Sequence, residues 1–129
     1  MTSAVLDASA VIALLKGERG ASKVAGVVAD AAVGVFNQAE VVSHFVHLGA
    51  PIEEVRAMLG ALPYAVVAAD DALGWDAGVL RAVTSSVGLS LGDRFCLALA
   101  KRLGVPAYTA DRAWKDVAVA AGAKVVPIR

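Results

Sequence analysis

The chain has 129 residues, twelve Lys and Arg against twelve Asp and Glu, one Cys, and 58% hydrophobic residues. This length predicts a single domain spanning residues 1–129, and so high an apolar content excludes a disordered chain. The zero net charge argues against non-specific binding of duplex DNA, which depends on a strong basic excess.

Short apolar runs alternate with helical segments along the chain. The first half predicts, in order, a strand at Ser3–Leu6, helices at Ala8–Leu15 and Ala21–Ala32, a strand at Gly34–Phe36, and helices at Asn37–Leu48 and Ile52–Leu62. The second half predicts a strand at Ala65–Ala69, a helix from Asp70 or Asp71 to Ser85, a helix at Leu91–Leu103, a strand at Ala107–Thr109, a helix at Arg112–Ala121 and a strand at Lys124–Ile128. Strands that alternate with helices, without tight hairpin turns, predict an α/β fold with a parallel sheet and helices on both faces.

A mean hydropathy of +0.67 raises the question of a membrane span. Charged residues such as Asp7, Asp30 and Asp70 interrupt the apolar stretches before they reach the roughly 18 residues that a span needs. No basic segment precedes the first apolar run, so a signal peptide is not expected. The single Cys96 excludes an internal disulfide and is expected to be a buried small hydrophobe. We therefore expect a soluble, cytoplasmic protein with no membrane contact.

Four acids lie at the ends of predicted apolar elements. Asp7 ends the first strand and Asp111 follows the fourth, whereas Glu40 and Asp93 lie in the first turns of helices. Ligands of an open α/β sheet bind outside the carboxyl ends of its strands. We expect all four acids at that edge, provided that the helix of Asp93 begins there.

Carboxylates that converge at one place cannot all stay ionised without raised pKa values or a bound cation. Oxygen ligands without His or Cys select a hard ion such as Mg²⁺ or Mn²⁺. Ser9 and Thr109, each two residues from an acid, are expected to orient the ligands or a metal-bound water. This chemistry indicates a metal-dependent phosphodiester hydrolase.

Each acid also has a structural interpretation. Glu40 follows Asn37 by three residues and Asp93 follows Ser90 by three, the spacing of a helix N-cap with an acid at its third position. The other two acids can cap the helices that follow them. The spacing alone leaves both interpretations open.

Four segments resemble, in order and spacing, the acidic motifs of PIN-domain ribonucleases. They are Val5–Leu15, Asn37–Val41, Leu89–Ala100 and Tyr108–Trp114. Their order and spacing match across nearly the whole chain, and they look like those of the VapC toxins of bacterial type II toxin–antitoxin modules. Gly92 and Arg94, on either side of Asp93, depart from the small apolar residues that the family more often has there.

The resemblance implies a single PIN domain with a five-stranded parallel sheet in the order 3-2-1-4-5. It implies Mg²⁺- or Mn²⁺-dependent endonucleolytic cleavage of RNA, commonly a tRNA or an rRNA loop, at a metal site formed by Asp7, Glu40, Asp93 and Asp111. It also implies a homodimer that is inhibited by a VapB-like antitoxin, through which alone the complex would contact DNA. Two alternatives remain: a PIN nuclease of RNA maturation without an antitoxin, and a non-catalytic PIN interaction module, which would normally have lost some of the acids.

Basic residues near the acids in sequence are candidates for contact with RNA phosphates. They are Arg94, Arg112 and Lys115, with Lys16 and Arg19 further away. A solvated position is the alternative for each, and for Arg94 and Asp116 we favour it. Trp114 and Tyr108 are the only aromatic residues near the acids in this interpretation, and both are expected in the core. We therefore expect recognition of RNA shape, not stacking of bases.

Two further features indicate an interface. His44 and His47 share a helix with no third metal ligand, so they are interpreted as helix-surface or interface residues. The helices Ala21–Ala32 and Val41–Leu48 carry few charges for surface elements, which favours a dimer or antitoxin interface. A phosphorelay receiver domain is excluded, because Asp7 has no acidic neighbour and Lys124 opens the last strand instead of closing it.

Overall fold

Five short strands form one parallel sheet in the computed structural model, which describes residues 1–129. The strands are β1 (Ala4–Leu6), β2 (Ala31–Gly34), β3 (Ala65–Val67), β4 (Ala107–Thr109) and β5 (Val125–Pro127). Their order is β3-β2-β1-β4-β5, and every pair of neighbours is parallel. The predicted α/β class and strand order are therefore confirmed.

Helices cover the sheet. They are α1 (Ala8–Lys16), α2 (Ala21–Ala25), α3 (Val35–His47), α4 (Ile52–Gly60), α5 (Asp71–Val79), α6 (Arg81–Thr84), α7 (Leu91–Leu103) and α8 (Ala118–Ala121). Three short 3₁₀ helices occupy Val28–Asp30, Ser85–Val87 and Arg112–Asp116. None of the helices has both the length and the apolar character that crossing a membrane requires.

The core is divided between the two faces of the sheet. Successive side chains of a strand point to opposite faces, so Val5 of β1 joins one apolar cluster while Ala4 and Leu6 join the other. Residues of α5 and α7 complete the first cluster, and residues of α1 and α3 complete the second. All three residues of β1 are fully buried, as expected for the central strand of a sheet covered on both faces.

The segment before α3 differs from the prediction. The predicted second helix ends early, and its last two residues, Ala31 and Ala32, lie in β2. Val35 and Phe36, predicted as strand, form the start of α3. The physical reason is pairing: β2 lies between β1 and β3, and hydrogen bonds to both neighbours outweigh the modest helix preference of alanine.

Two other predicted helices are interrupted. The one predicted up to Ser85 is divided into α5, α6 and a 3₁₀ turn, and the one predicted at Arg112–Ala121 is divided into a 3₁₀ helix and α8. Trp114 and Val117 are both buried, and side chains three residues apart align on one side of a 3₁₀ helix. Burial of this pair therefore favours the tighter helix. It also confirms the expected core position of Trp114.

Candidate metal centre at the carboxyl edge of the sheet

Asp93 lies in a capping box at the start of α7. The Asp93 N–H donates to Ser90 Oγ (3.2 Å), and the Ser90 N–H donates to Asp93 Oδ2 (2.9 Å). The structural interpretation of this acid is therefore correct. The capping box uses only one of the two carboxylate oxygens, because Oδ1 has no hydrogen-bond partner in the protein.

Asp7 and Asp111 also cap helices. Asp7 Oδ1 accepts hydrogen bonds from the Ala10 N–H (2.8 Å) and the Ser9 hydroxyl (2.7 Å). Asp111 Oδ1 accepts one from the Ala113 N–H (2.9 Å). In both residues these hydrogen bonds reach Oδ1. The second oxygen of Asp111, Oδ2, faces no protein donor. Capping and ligand binding are thus compatible in the same side chain.

Glu40, in contrast, is not a capping residue. The strand β2 passes directly into α3 at Gly34, so Glu40 is the sixth residue of the helix and not part of its first turn. Asn37, only 1% exposed, is not an N-cap either. Its Nδ2 donates to Glu40 Oε1 (3.0 Å) and to the Gly92 carbonyl (3.1 Å). The predicted first-turn position of Glu40 was wrong, and so was the interpretation of Glu40 as part of a helix cap.

Gly92 gives the Glu40 carboxylate its space. A Cβ atom built on Gly92 would overlap the Glu40 carboxyl group. The same residue accepts the hydrogen bond from Asn37 through its carbonyl. The first turn of α7 therefore both leaves room for Glu40 and fixes the side chain that orients it.

The four acids line one pocket at the carboxyl ends of β1 and β4. The pocket has a volume of about 370 Å³, and its walls are Asp7, Ala8, Ser9, Ile12, Glu40, His44, Asp93 and Asp111. The chain thus brings together acids that lie up to 104 residues apart, from Asp7 to Asp111. The pocket is the physical basis for treating these four side chains as a single candidate site.

The hydroxyl groups of Ser9 and Thr109 form hydrogen bonds that hold the acids of the pocket in place. The Ser9 hydroxyl donates to Asp7 and accepts from the Ala110 N–H (2.9 Å). The fully buried Thr109 hydroxyl accepts from the Asp111 N–H (3.0 Å). These bonds connect the start of α1 with the end of β4, so the two hydroxyls set the relative positions of two of the acids.

Burial and the nearby charge of Asp93 raise the pKa of two acids in the pocket, Asp7 and Glu40. Burial raises the pKa of Asp7 from 3.8 to about 6, against the opposing effect of the Thr109 and Ser9 hydroxyls and the Ala10 N–H, and the Asp93 charge raises it further. Burial and the Asp93 charge also raise the pKa of Glu40, which the hydrogen bond from Asn37 partly offsets. The pocket therefore holds negative charge at a cost in free energy.

The donor chemistry of the pocket fits a hard divalent cation. It offers carboxylate oxygens, and those of Glu40, Asp93 and Asp111 each include one without a protein partner. No three His, Cys, Asp or Glu side chains stand at metal-binding spacing, so a cation would have to draw the free oxygens together. Relief of like-charge repulsion is the driving force for that adjustment.

Sequence reasoning missed the position of His44. It was interpreted as a surface or interface residue, but it follows Glu40 by one helical turn and lines the acidic pocket. Its Nε2 is buried without a hydrogen-bond partner. The i, i+4 spacing from Glu40 was the available signal.

The candidate phosphate contacts separate into two groups. Arg94 is only 7% exposed, and its Nη1 donates to the Ala77 carbonyl of α5 (3.1 Å). Its interpretation as an exposed residue was therefore wrong. Its guanidinium joins α7 to α5 and is not available at the surface for an RNA phosphate. Arg112 and Lys115 are exposed beyond Asp111. Asp116 is exposed and does not line the pocket.

Residues 4–120 match the model of the PIN domain family. The chain belongs to this family. A search of curated proteins finds no match.

The solved structures with a similar fold include proteins of toxin–antitoxin systems. They include the DNA-bound VapBC complex of Salmonella typhimurium (TM-score 0.77, 16% identity, all of both chains) and a toxin–antitoxin complex of Klebsiella pneumoniae (0.74, 19%, 98% of each chain). Mycobacterium tuberculosis VapC20, a toxin that cleaves the sarcin-ricin loop, is also similar (0.70, 15%, 88% of this chain and 94% of that chain). At these identities the likeness concerns the fold.

Replacing Asp7 by Asn is expected to stabilise the metal-free protein at neutral pH. The Asn oxygen still accepts from Ala10, while the buried charge is removed. Because the pKa of Asp7 is raised from 3.8 to about 6 in the folded state, its ionisation opposes folding: the penalty is absent below the lower value and complete above the higher one. Urea unfolding in EDTA should give the variant a gain of about 1–3 kcal/mol at neutral pH and almost none in acid. Equal stability of both proteins at neutral pH would contradict this account.

Gly92→Ala is expected to weaken Mn²⁺ binding because the new methyl group displaces the Glu40 carboxylate. Isothermal titration calorimetry should show a loss of about tenfold or more. Gly60→Ala is the matched control: it is also a helical glycine, but its new methyl group meets open space, and it should bind Mn²⁺ like the wild type. Similar affinities for all three proteins would show that Glu40 does not need this space.

Proposed function

We propose that this chain is an endoribonuclease that depends on Mg²⁺ or Mn²⁺ and acts as a toxin restrained by a VapB-like antitoxin. The observation that carries the proposal is the single pocket lined by Asp7, Glu40, Asp93 and Asp111. Membership of the PIN family and the likeness to toxins of antitoxin complexes support it. All four acids are present, which argues against a non-catalytic module. The RNA substrate places the proposed activity in the cytoplasm.

The four acids would hold the cation, and Glu40, Asp93 and Asp111 would do so through oxygens that no protein group bonds. When bound, a divalent ion lowers the pKa of a water molecule and stabilises charge on the phosphate and the leaving oxygen. Asn37 holds Glu40 by one oxygen, and the Ser9 hydroxyl and Ala10 N–H hold Asp7 by one oxygen. These bonds fix the carboxylates before the substrate binds, which reduces the reorganisation that the reaction requires.

Arg112 and Lys115 would contact RNA phosphates. Both are exposed in the 3₁₀ helix that follows Asp111, so they flank the pocket on the side of β4. Contacts of this kind position an RNA without reading its sequence. The substrate we propose is a structured RNA, a tRNA or an rRNA loop; VapC20, which has a similar fold, cleaves the sarcin-ricin loop.

An apolar groove between α3, α4 and the edge strand β3 would receive the antitoxin. Its volume is about 570 Å³, and Val42, Val46, Ile52, Val55 and Leu59 are among its eleven lining residues. Val46 and Ile52 are exposed, and the groove includes part of the helix whose low charge predicted an interface. An apolar arm of the antitoxin in this groove would lie next to the helix that carries Glu40. Contact with DNA would come through the antitoxin; the VapBC complex of Salmonella typhimurium, which has a similar fold, is bound to DNA.

A homodimer would form through α5. Trp75 is 70% exposed and stands beside a depression of about 430 Å³ that it lines with Asp71, Gly74, Gly78 and Val79. Side chains built on Gly74 or Gly78 would meet open space. A protruding ring beside a hollow on the same face suits a two-fold interface, in which each copy fills the hollow of the other.

Trp75→Glu is expected to convert a dimer to a monomer, because a charge would replace the ring that fills the hollow. Light scattering after size-exclusion chromatography at micromolar concentration measures the mass directly. Val119→Glu changes another exposed apolar residue, outside α5, and should leave the dimer intact. A monomeric wild type would contradict the proposed interface.

Expression of the wild type in bacterial cells is expected to arrest growth and leave cleaved RNA, whereas Asp7→Asn should do neither. Because that variant is expected to be the more stable of the two, loss of toxicity would not reflect misfolding. Co-expression of the small DNA-binding protein expected in the neighbouring reading frame should restore growth. Equal toxicity of both proteins would overturn metal-site catalysis. Cleavage without rescue by any neighbouring partner would favour an RNA-maturation nuclease.

A further inference from the structure

Phe36 is a partly exposed aromatic ring held in a fixed orientation. It is 42% exposed, whereas Phe95 of α7 is only 9% exposed. The two rings are stacked, with 4.1 Å between their centroids and 9° between their planes. One face of Phe36 is therefore covered by Phe95, and the opposite side is open to solvent.

The helices that carry the acids also carry this pair of rings. Glu40 follows Phe36 by one turn of α3, a separation of about 5–6 Å between Cβ atoms. On α7, Phe95 follows Asp93 by two residues, so it lies on a different side of the helix and packs into the core. The hydrogen bond from Asn37 to the Gly92 carbonyl (3.1 Å) ties the starts of the same two helices together. Phe36 therefore lies one helical turn from Glu40, next to the acidic pocket but not among the residues that line it. Phe36 was not predicted as an aromatic neighbour of the acids; only Trp114 and Tyr108 were.

We propose that the open face of Phe36 is a stacking site for one base of single-stranded RNA next to the bond that is cleaved. This inference rests on the proposed function and adds a contact that recognises bases instead of phosphates. Aromatic side chains bind unpaired bases by stacking, and they accept any base because every base has a π-face. The site therefore selects for an unpaired nucleotide, not for a particular sequence.

The charge of the chain favours an RNA base at this position. The net charge is zero and the pocket carries four acids, so attraction of phosphates is weak and a non-ionic contact close to the pocket becomes important. Phe95 already immobilises the Phe36 ring, so the Phe36 side chain loses little conformational entropy when a base stacks on it. A protein segment has a better-shaped apolar surface elsewhere, in the groove that contains Val46 and Ile52.

Binding of a fluorescein-labelled oligoadenylate of about twelve nucleotides, measured by anisotropy in EDTA and low salt, tests the inference without cleavage. Phe36→Leu should weaken binding about tenfold, within the range of about 5- to 150-fold for one stacked base. Phe36→Trp should bind as tightly as the wild type or more tightly. Val119→Ala, at a residue 95% exposed outside the pocket, should have no effect. Thermal unfolding of each variant shows whether the fold is kept.

A spectroscopic readout separates stacking from a structural role. In Phe36→Trp, the indole should be quenched by oligoadenylate beyond any change in the wild type, which contains only Trp75 and Trp114. With Mn²⁺ and a cleavable RNA, Phe36→Leu should raise KM and change kcat little.

Three outcomes would overturn the inference. The first is unchanged affinity of Phe36→Leu. The second is equal loss in Phe36→Leu and Phe36→Trp, which would indicate a packing role. The third is a loss of antitoxin binding with RNA binding preserved, which would make the ring part of the protein interface. A wild type that binds oligoadenylate through Phe36 but cleaves no RNA would overturn the proposed function alone.

Discussion

The burial of neighbouring carboxylates at one edge of the sheet is the constraint on which the rest of this structure depends. Parallel strands place the ends of β1 and β4 side by side, so residues that follow them are forced together. Burial and the charge of Asp93 then raise the pKa of Asp7 to about 6. Such a cluster is unfavourable for folding, and it is useful when a cation or substrate relieves the repulsion. Folding therefore carries a free-energy cost at this edge, and the binding of a ligand reduces that cost.

Each acid of this cluster also accepts a hydrogen bond that holds its side chain in place. Asp7, Asp93 and Asp111 each cap a helix through one oxygen, and Glu40 is held by Asn37. A carboxylate that is fixed by one oxygen keeps its direction while the other oxygen remains available. The structural and functional interpretations of these acids, which compete when the sequence is considered alone, are thus two uses of the same side chain.

The junction between α3 and α7 sets the position of the acids relative to the surfaces around them. Asn37 bonds to the Gly92 carbonyl, and Phe36 stacks on Phe95. The apolar groove lies on the side of β3, whereas the exposed Arg112 and Lys115 lie beyond β4. In the proposed function, an antitoxin in the groove and RNA phosphates at Arg112 and Lys115 would therefore lie on different sides of the pocket.

The sequence by itself determined the strand order through its resemblance to a family, the helix at Leu91–Leu103 and the identity of the four acids that line the pocket. The helix follows from local signals that act within one segment, its capping residues Ser90 and Gly104. Only the tertiary structure decided the rest. Ala31 and Ala32 became strand because β1 and β3 supply their hydrogen bonds, and Arg94 became buried because Ala77 of α5 accepts from it. The roles of Gly92 and Phe36 likewise depend on partners from another helix, which local sequence does not specify.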